Sequence, residues 1–169
     1  PSPRGEYELQ DAIQMMIDEG LAISGVFIDH RLHLTTIEDL MDINCYFLEQ
    51  ENRTVKSRDF NTYFPAALHP TCKVGASSDI GPYAYVGAGS RLGNNVKIVK
   101  SILMNMVTIG KGSTIVNSIL GNGVQIGDEC QVGDHKGGLM VIGDHSIIKS
   151  KTIVPSGTLL NPNSHYGVC

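Results

Sequence analysis

Residues 74–97 read VGASSD, IGPYAY, VGAGSR and LGNNVK when they are divided into blocks of six. An aliphatic residue opens each block, glycine follows it, and the fifth position is small or β-branched. The pattern continues, with short interruptions, to Leu160. Thirteen opening positions are all aliphatic: Val74, Ile80, Val86, Leu92, Ile98, Ile109, Ile115, Ile126, Val132, Ile142, Ile148, Val154 and Leu160. A repeat this regular is typical of a solenoid, in which each coil contacts mainly its neighbours.

A second period of 17 residues is superimposed on the hexads. The segment that starts at Lys100, KSILMNMVTIGKGSTIV, matches the segment that starts at Asn117, NSILGNGVQIGDECQV. Seventeen is three hexads less one residue, so three hexads are expected to complete one coil. We therefore predict a mainly β fold, a parallel β-helix of triangular cross-section with about five coils over residues 74–160.

In such a coil the opening aliphatic residue points inward, and only a small side chain fits the second inward position beside the corner. The fifth position of the hexad supplies that small residue. By this phase Ile102 and Ile119 are larger than expected, and Lys136 breaks the pattern. An antiparallel sandwich with glycine-rich turns is the alternative, but thirteen aliphatic residues in one phase favour the β-helix.

The composition excludes several classes of function. The 169 residues carry a net charge of −4 without a basic cluster, so neither nucleic acid nor an anionic membrane is an expected partner. We find no run of 18 apolar residues and no signal-peptide pattern. The four cysteines form no Cys-x-x-Cys pair, which predicts a reducing, cytoplasmic location. The sequence begins with Pro1 and not with methionine, which predicts a trimmed piece of a longer protein.

The residues before the hexads show a different pattern. Residues 11–19 carry apolar side chains at helical spacing, and Gly20 follows as a helix stop. Leu21–Ile28 is apolar and β-branched, which predicts a strand. Residues 35–50 predict a second helix, with a capping box formed by Thr35 and Glu38 or by Thr36 and Asp39.

This pattern predicts a small α/β segment, helix-strand-helix, over residues 1–50. It is expected to cover the first coil of the β-helix, because the ends of a solenoid need covering. Pro65 and Pro70 argue against regular structure just before the hexads. We therefore predict a linker over 51–73, the β-helix over 74–160 and a C-terminal tail over 161–169.

The hexads resemble the left-handed parallel β-helix of the hexapeptide-repeat superfamily. That superfamily includes acyltransferases, γ-class carbonic anhydrases and the C-terminal domains of sugar nucleotidyltransferases, so the hexads alone imply no single function. A zinc site of the carbonic anhydrase type needs three histidines in the coils. Only His135 and His145 lie within this repeat, which argues against that class.

The opening segment separates the remaining functions. Residues 5–20, GEYELQDAIQMMIDEG, are similar to the Gly-Glu-Tyr-x-Leu-Thr-Asp-Ala segment near the end of the catalytic domain of sugar-1-phosphate nucleotidyltransferases. Residues 34–49, LTTIEDLMDINCYFLE, resemble that family's Gly-Thr-Pro-Glu-Asp-Leu helix. The resemblance implies the C-terminal part of an enzyme that makes a nucleotide sugar and pyrophosphate from a nucleoside triphosphate and a sugar 1-phosphate. Gln10 replaces the family's threonine, so the sugar stays open.

The resemblance also assigns roles to acidic residues. Asp11 matches the residue that holds Mg²⁺ at the phosphates, together with a second aspartate from earlier in the catalytic domain; Mg²⁺ prefers such oxygen ligands. Glu8, or Glu6, would approach the sugar. A simpler interpretation is that these acids favour a helix N-terminus because of its dipole. The family's Gly-x-Gly-Thr-Arg-Leu nucleotide loop is absent from this sequence. We therefore expect this chain alone to bind no cofactor and to be inactive, and to serve assembly, with a homotrimer implied by the resemblance.

His135 is the candidate residue for a different function. The opening positions jump by ten residues from Val132 to Ile142, so GDHKGGLM is a hexad with four extra residues. Acyltransferases of the superfamily often place a catalytic histidine at such an interruption, where it deprotonates the acceptor amine or hydroxyl. That resemblance implies an acyltransferase that uses an acyl-CoA donor and His135 as the base. The alternative is a loop histidine exposed to solvent.

Overall fold

The computed structural model describes residues 5–29, 31–51 and 57–167. The chain divides into two compact units, residues 1–32 and residues 33–169. Among the described residues, no helix combines the length and the apolar character needed to cross a membrane.

The first unit contains one helix, α1, at Leu9–Asp18. Gly20 follows it with a φ of +76°, a conformation that glycine adopts without strain. The prediction of a strand at Leu21–Ile28 is wrong, because these residues form no strand. A strand needs a neighbour for its backbone hydrogen bonds, and no described strand pairs with this stretch. No described residue of this unit is buried.

The second unit begins with helix α2 at Ile37–Gln50. Thr36 and Asp39 form the capping box: the Thr36 hydroxyl accepts from the Asp39 N–H at 3.1 Å, and the Asp39 carboxylate accepts from the Thr36 N–H at 2.8 Å. The backbone N–H and the hydroxyl of Thr35 also donate to Asp39. Hydrogen bonds from the Thr35 and Thr36 backbone therefore hold the pKa of Asp39 well below its usual range. The second of the two predicted capping pairs is confirmed.

The strands of the second unit pair only in parallel and form one β-helix. The described residues give sixteen strands: β1 Asn61–Thr62, β2 Ala66–Leu68, β3 Lys73–Val74, β4 Asp79–Ile80, β5 Ala84–Val86, β6 Arg91–Leu92, β7 Lys97–Leu103, β8 Thr108–Ile109, β9 Thr114–Leu120, β10 Gln125–Ile126, β11 Gln131–Val132, β12 Met140–Ile142, β13 Ile147–Ile148, β14 Ile153–Val154, β15 Leu159–Leu160 and β16 His165–Tyr166. One face is a six-stranded sheet in the order β16-β13-β10-β8-β6-β3. The other two faces share a ten-stranded sheet, because β7 and β9 are seven residues long and bend round a corner between them. The three faces give the predicted triangular cross-section, and the left-handed β-helix fold is confirmed.

The β-helix is longer than the sequence predicted. Its strands run from Asn61 to Tyr166 and make about six turns, where about five coils were predicted over 74–160. The first strands therefore lie in the predicted linker, and β16 lies in the predicted tail. Pro65 and Pro70 are tolerated because both fall between strands, where no ladder hydrogen bond needs their missing N–H.

The predicted inward positions form the core. The opening aliphatic residues are buried, except that Val74 and Leu160 in the terminal coils are partly buried. The small fifth residue matters for hydrogen bonding as well as for size. The Ser78 hydroxyl donates to the carbonyl of Gly93 at 3.1 Å and accepts from the N–H of Val96 at 3.1 Å. The same pair of bonds recurs at Ser90, Ser113 and Ser146, so the hydroxyl of each of these serines both donates and accepts and links adjacent coils.

The large residues at two fifth positions have a physical explanation. The corners at Lys100 and Asn117 are one residue shorter and have φ values of +44° and +47°. Ser101 therefore takes the small inward position in its coil, as Ser118 does in the next. Placing Ile102 and Ile119 inward by the hexad phase is wrong, because both point outward and are covered by α2.

The residue before each opening aliphatic position points outward, so each face carries one stripe of outer residues. On one face the stripe is apolar throughout; this apolar stripe consists of Ala67, Tyr85, Ile102, Ile119, Val141 and Leu159. Helix α2 lies on it, with Met41 buried against two isoleucines and the Tyr83 hydroxyl donating to Glu49 at 2.8 Å. Helix α2 thus covers a side of the β-helix. The expectation that the helical segment covers the first coil is therefore not met by α2.

Candidate functional site

The residues predicted to contact the sugar and Mg²⁺ lie at the start of α1. Glu8 is the N-cap residue, and Asp11 lies exposed in the first helical turn. The dipole of a helix favours an acid at this place, which accounts for Asp11 in this unit without a metal. Among the described residues, no three His, Cys, Asp or Glu side chains come together as a metal site. Both assignments therefore stay predictions.

His135 lies in the second unit, on the loop between β11 and β12. Asp134 shapes this loop, because its carboxylate accepts from the N–H groups of Lys136 and Gly137, both at 2.7 Å. These two backbone hydrogen bonds lower the pKa of Asp134. The side-chain amide of Asn117 donates to the Gly137 carbonyl at 3.3 Å and fastens the loop to the preceding coil. The extra residues inferred from the spacing thus form a hydrogen-bonded loop.

His135 borders a cavity of about 510 Å³ on the outside of the β-helix. We call it the His135 cavity; its lining residues are Tyr63, Asp79, Gly81, Pro82, Lys97, Val99 and His135. Asp79 on β4 and Lys97 on β7 are neighbours in register on the same outer face. The structure therefore brings an imidazole, a carboxylate, an ammonium group and a phenol to one cavity.

Two donors hold the carboxylate of Asp79 in place. The side-chain amide of Asn61 donates to its Oδ1 at 2.9 Å, and the Tyr63 hydroxyl donates to the same oxygen at 3.3 Å. The negative charge of Asp79 in turn raises the pKa of Tyr63. Asp79 is therefore a positioned acceptor in the cavity.

Sequence reasoning found His135 and missed its polar neighbours. A signal for Asp79 and Lys97 exists, since both directly precede an opening aliphatic residue and so occupy outward positions 18 residues apart on one face. Tyr63 could not be placed from the hexads, because the first coil precedes their clear beginning at Val74. Charged residues at equivalent outward positions of neighbouring coils are thus a usable sign of a surface site.

Comparison with known proteins adds the family. The model of the GMPPB C-terminal domain matches residues 63–165. The low-salt glycan biosynthesis nucleotidyltransferase Agl11 of Haloferax volcanii is 28% identical over 88% of this chain and 47% of its own length. Glucose-1-phosphate thymidylyltransferase of Streptomyces antibioticus is 31% identical over 78% of this chain and 32% of its own length. The bifunctional protein GlmU of Brevibacillus brevis is 30% identical over 55% of this chain and 20% of its own length. The chain spans less than half the length of these relatives.

Solved structures of acetyltransferases are also similar. The acetyltransferase domain of PglB from Neisseria gonorrhoeae matches 62% of this chain and 51% of its own, with 19% identity and a TM-score of 0.32. A Bacillus cereus protein described as a putative acetyltransferase matches 64% of this chain and 77% of its own, with 16% identity and a TM-score of 0.33. Neither similarity is close enough to decide a function.

We expect Asp134→Ala to lower the melting temperature at neutral pH, because two backbone N–H groups of the loop lose their acceptor. The folded-state pKa of Asp134 lies below its unfolded value, so its stabilising effect is present above that value and disappears as the pH falls through the folded-state pKa. Thermal unfolding of wild type and variant should therefore converge on acidification to well below pH 3.8. Lys136→Ala keeps both N–H groups and is the matched control. A gap in melting temperature that persists unchanged in acid would contradict this role.

Proposed function

Because the chain belongs to the family of the GMPPB C-terminal domain, we propose that it is the C-terminal part of a sugar-1-phosphate nucleotidyltransferase. The observation that carries this proposal is the family match over residues 63–165. Two relatives named as nucleotidyl- and thymidylyltransferases support it. In the full enzyme, a phosphate oxygen of the sugar 1-phosphate attacks the α-phosphorus of a nucleoside triphosphate; a new P–O bond forms and pyrophosphate leaves.

The first unit supports a larger parent protein. Its described residues expose Tyr7 by 91%, Val26 by 86% and Phe27 by 103%. Burying a large apolar side chain is worth about 1.5–3 kcal/mol, so packing against further chain would stabilise this unit. We infer that these side chains pack in the parent's catalytic domain.

Asp11 would hold Mg²⁺ in that domain with a second carboxylate, and Glu8 would approach the sugar. The carboxylate of Asp11 is a hard oxygen donor of the kind that Mg²⁺ prefers, and its exposed position leaves it open to a ligand. When bound, Mg²⁺ neutralises charge on the phosphates during transfer. This chain alone has no nucleotide loop, so we propose that it binds no cofactor and turns over no substrate.

The role of this piece would be assembly, as a homotrimer in the cytoplasm. Two observations support this proposal. Ile153 and Leu159 are 68% and 66% exposed on different faces of the last coil, where an interface would bury them. Cys45, Cys72 and Cys130 are free thiols, as is usual in a reducing compartment.

A second candidate function, acyl transfer, is favoured by the position of His135 on a cavity with other polar side chains. As a base, its imidazole would take the proton of an acceptor amine or hydroxyl. The acceptor would then attack the thioester carbonyl of an acyl-CoA, and the thiol of coenzyme A would leave. This reaction would make the parent bifunctional.

In the full-length parent, Asp11→Asn should lower the rate of nucleotide-sugar formation by about 10²-fold or more, because a metal ligand supplies several kcal/mol of charge stabilisation. Asp18→Asn, on the same helix, is the control and should leave the rate within about twofold. Activity is measured as pyrophosphate release. Equal rates for the two variants would contradict the assignment of Asp11 as a metal ligand.

Sedimentation equilibrium of this chain should give the mass of three copies. Replacing both Ile153 and Leu159 by Asp should shift the equilibrium toward monomer, since a charge would have to be buried in the interface. Replacing the polar outer residues Thr108 and Gln125 by Asp is the control on the third face, and it should leave the measured mass unchanged. A wild-type chain that stays monomeric at high concentration would rule out this assembly role.

Purified chain should transfer acetyl groups from acetyl-CoA if His135 is a base, and His135→Ala should slow the reaction by about 10²-fold or more. His145→Ala tests another histidine of the repeat and should have no effect. The measurement is thiol release in the presence of amine acceptors. Release at the uncatalysed rate would eliminate acyl transfer for this chain.

A further inference from the structure

We propose that the His135 cavity binds a small molecule that carries both a phosphate monoester and free vicinal hydroxyl groups. Sugar phosphates and nucleoside monophosphates share this chemistry. The proposal rests on the lining of the cavity, and it holds whether or not the parent is a nucleotidyltransferase or the cavity transfers acyl groups.

The donating half of the cavity consists of Lys97 and His135. Lys97 forms no ion pair or hydrogen bond with any described side chain, although Asp79 is its neighbour on the adjacent strand. Most lysines on protein surfaces are simply solvated, but this one borders a concave space that an imidazole also lines. An ammonium group and an imidazole are suitable donors for phosphate oxygens.

The accepting half of the cavity is Asp79. Its Oδ1 is occupied by Asn61 and Tyr63, whereas no described residue donates to its Oδ2. An ionised carboxylate can only accept hydrogen bonds, so the free oxygen calls for a donor such as a hydroxyl group. An anion alone would be repelled by this carboxylate, and a neutral sugar would leave Lys97 unused. A ligand that matches both halves has a phosphate at one end and hydroxyls at the other.

The dimensions of the cavity fit such a ligand. Its volume of about 510 Å³ lies in the range usual for small-molecule sites. Pro82 and Val99 contribute apolar surface to the lining, on which the carbon skeleton of a sugar ring can rest. The position of the cavity on the outside of the coils leaves it open to a diffusing ligand.

The test is an NMR titration of this chain with four probes: glucose 6-phosphate, uridine 5′-monophosphate, inorganic phosphate and glucose. The methyl groups of Val99 report on occupancy. We expect at least one of the two phosphate esters to bind saturably and more tightly than inorganic phosphate, and glucose not to bind. Comparing the esters tells whether a sugar phosphate or a nucleotide is the better ligand.

Two variants separate the two halves. Lys97→Gln should weaken the binding of the ester and of inorganic phosphate alike, by about tenfold or more, because each loses a charge-assisted contact. Asp79→Asn should weaken the binding of the ester by about threefold to tenfold, because the ligand hydroxyl loses its charged acceptor. The same variant should bind inorganic phosphate more tightly, because a repulsive charge is removed. Lys73→Gln, an outward lysine on the other sheet, is the control and should change neither affinity.

Three results would overturn the proposal. Esters that bind Lys97→Gln as tightly as wild type show that the cavity is not the site. An Asp79→Asn variant that binds ester and inorganic phosphate more tightly by the same factor shows an unspecific anion site. If acetyl-CoA binds through Lys97 and neither ester does, the cavity belongs to acyl transfer and the present proposal is wrong, whereas failure of acetyl-CoA to react leaves the ester titration unaffected.

Discussion

One aliphatic residue in each strand must point inward and stack on its counterpart in the next coil, and the rest of the structure depends on this constraint. Side chains alternate across a strand, so the residue before each inward aliphatic must point outward. Burial of Ile80 and Ile98 thereby places Asp79 and Lys97 side by side on the surface. The period that builds the core therefore also arranges the outer surface into stripes.

The outer faces use this arrangement in different ways. Helix α2 lies on the apolar stripe, and its Met41 is buried there. On the face that carries Asp79 the outer residues are polar from Asn61 to Gln131, and Ile153 ends the stripe. The loop with His135 borders the cavity that Asp79 lines. A helix-binding face and a polar cavity thus lie on one small β-helix, because the side-chain type changes from face to face while the backbone repeats.

The sequence was sufficient to predict the β-helix, because the hexad pattern recurs in every coil. A departure from the pattern at one position therefore does not change the predicted fold. The sequence predicted the inward role of Ser78 and Ser90 for the same reason. It failed at Leu21–Ile28, where an apolar, β-branched stretch has the propensity of a strand but finds no partner in the described residues. It also failed at Ile102, because a corner shortened by one residue shifts the phase, and only the backbone at Lys100 shows where the residue is lost. His135 was found from a gap in the spacing, whereas its neighbours come from coils distant in sequence.

The loop with His135 has a wider consequence for how such a molecule can change. The coil from Gln125 to Ile147 takes 22 residues and the next, from Ile147 to His165, takes 18, yet both keep their strands in register. The extra residues form a loop at a corner of the coil. The entropic cost of closing a longer loop rises only with the logarithm of its length. Corners therefore act as insertion points that are nearly independent of folding. A lineage built on this scaffold can gain, lengthen or lose a surface loop in one coil while the neighbouring coils keep their inherited shape.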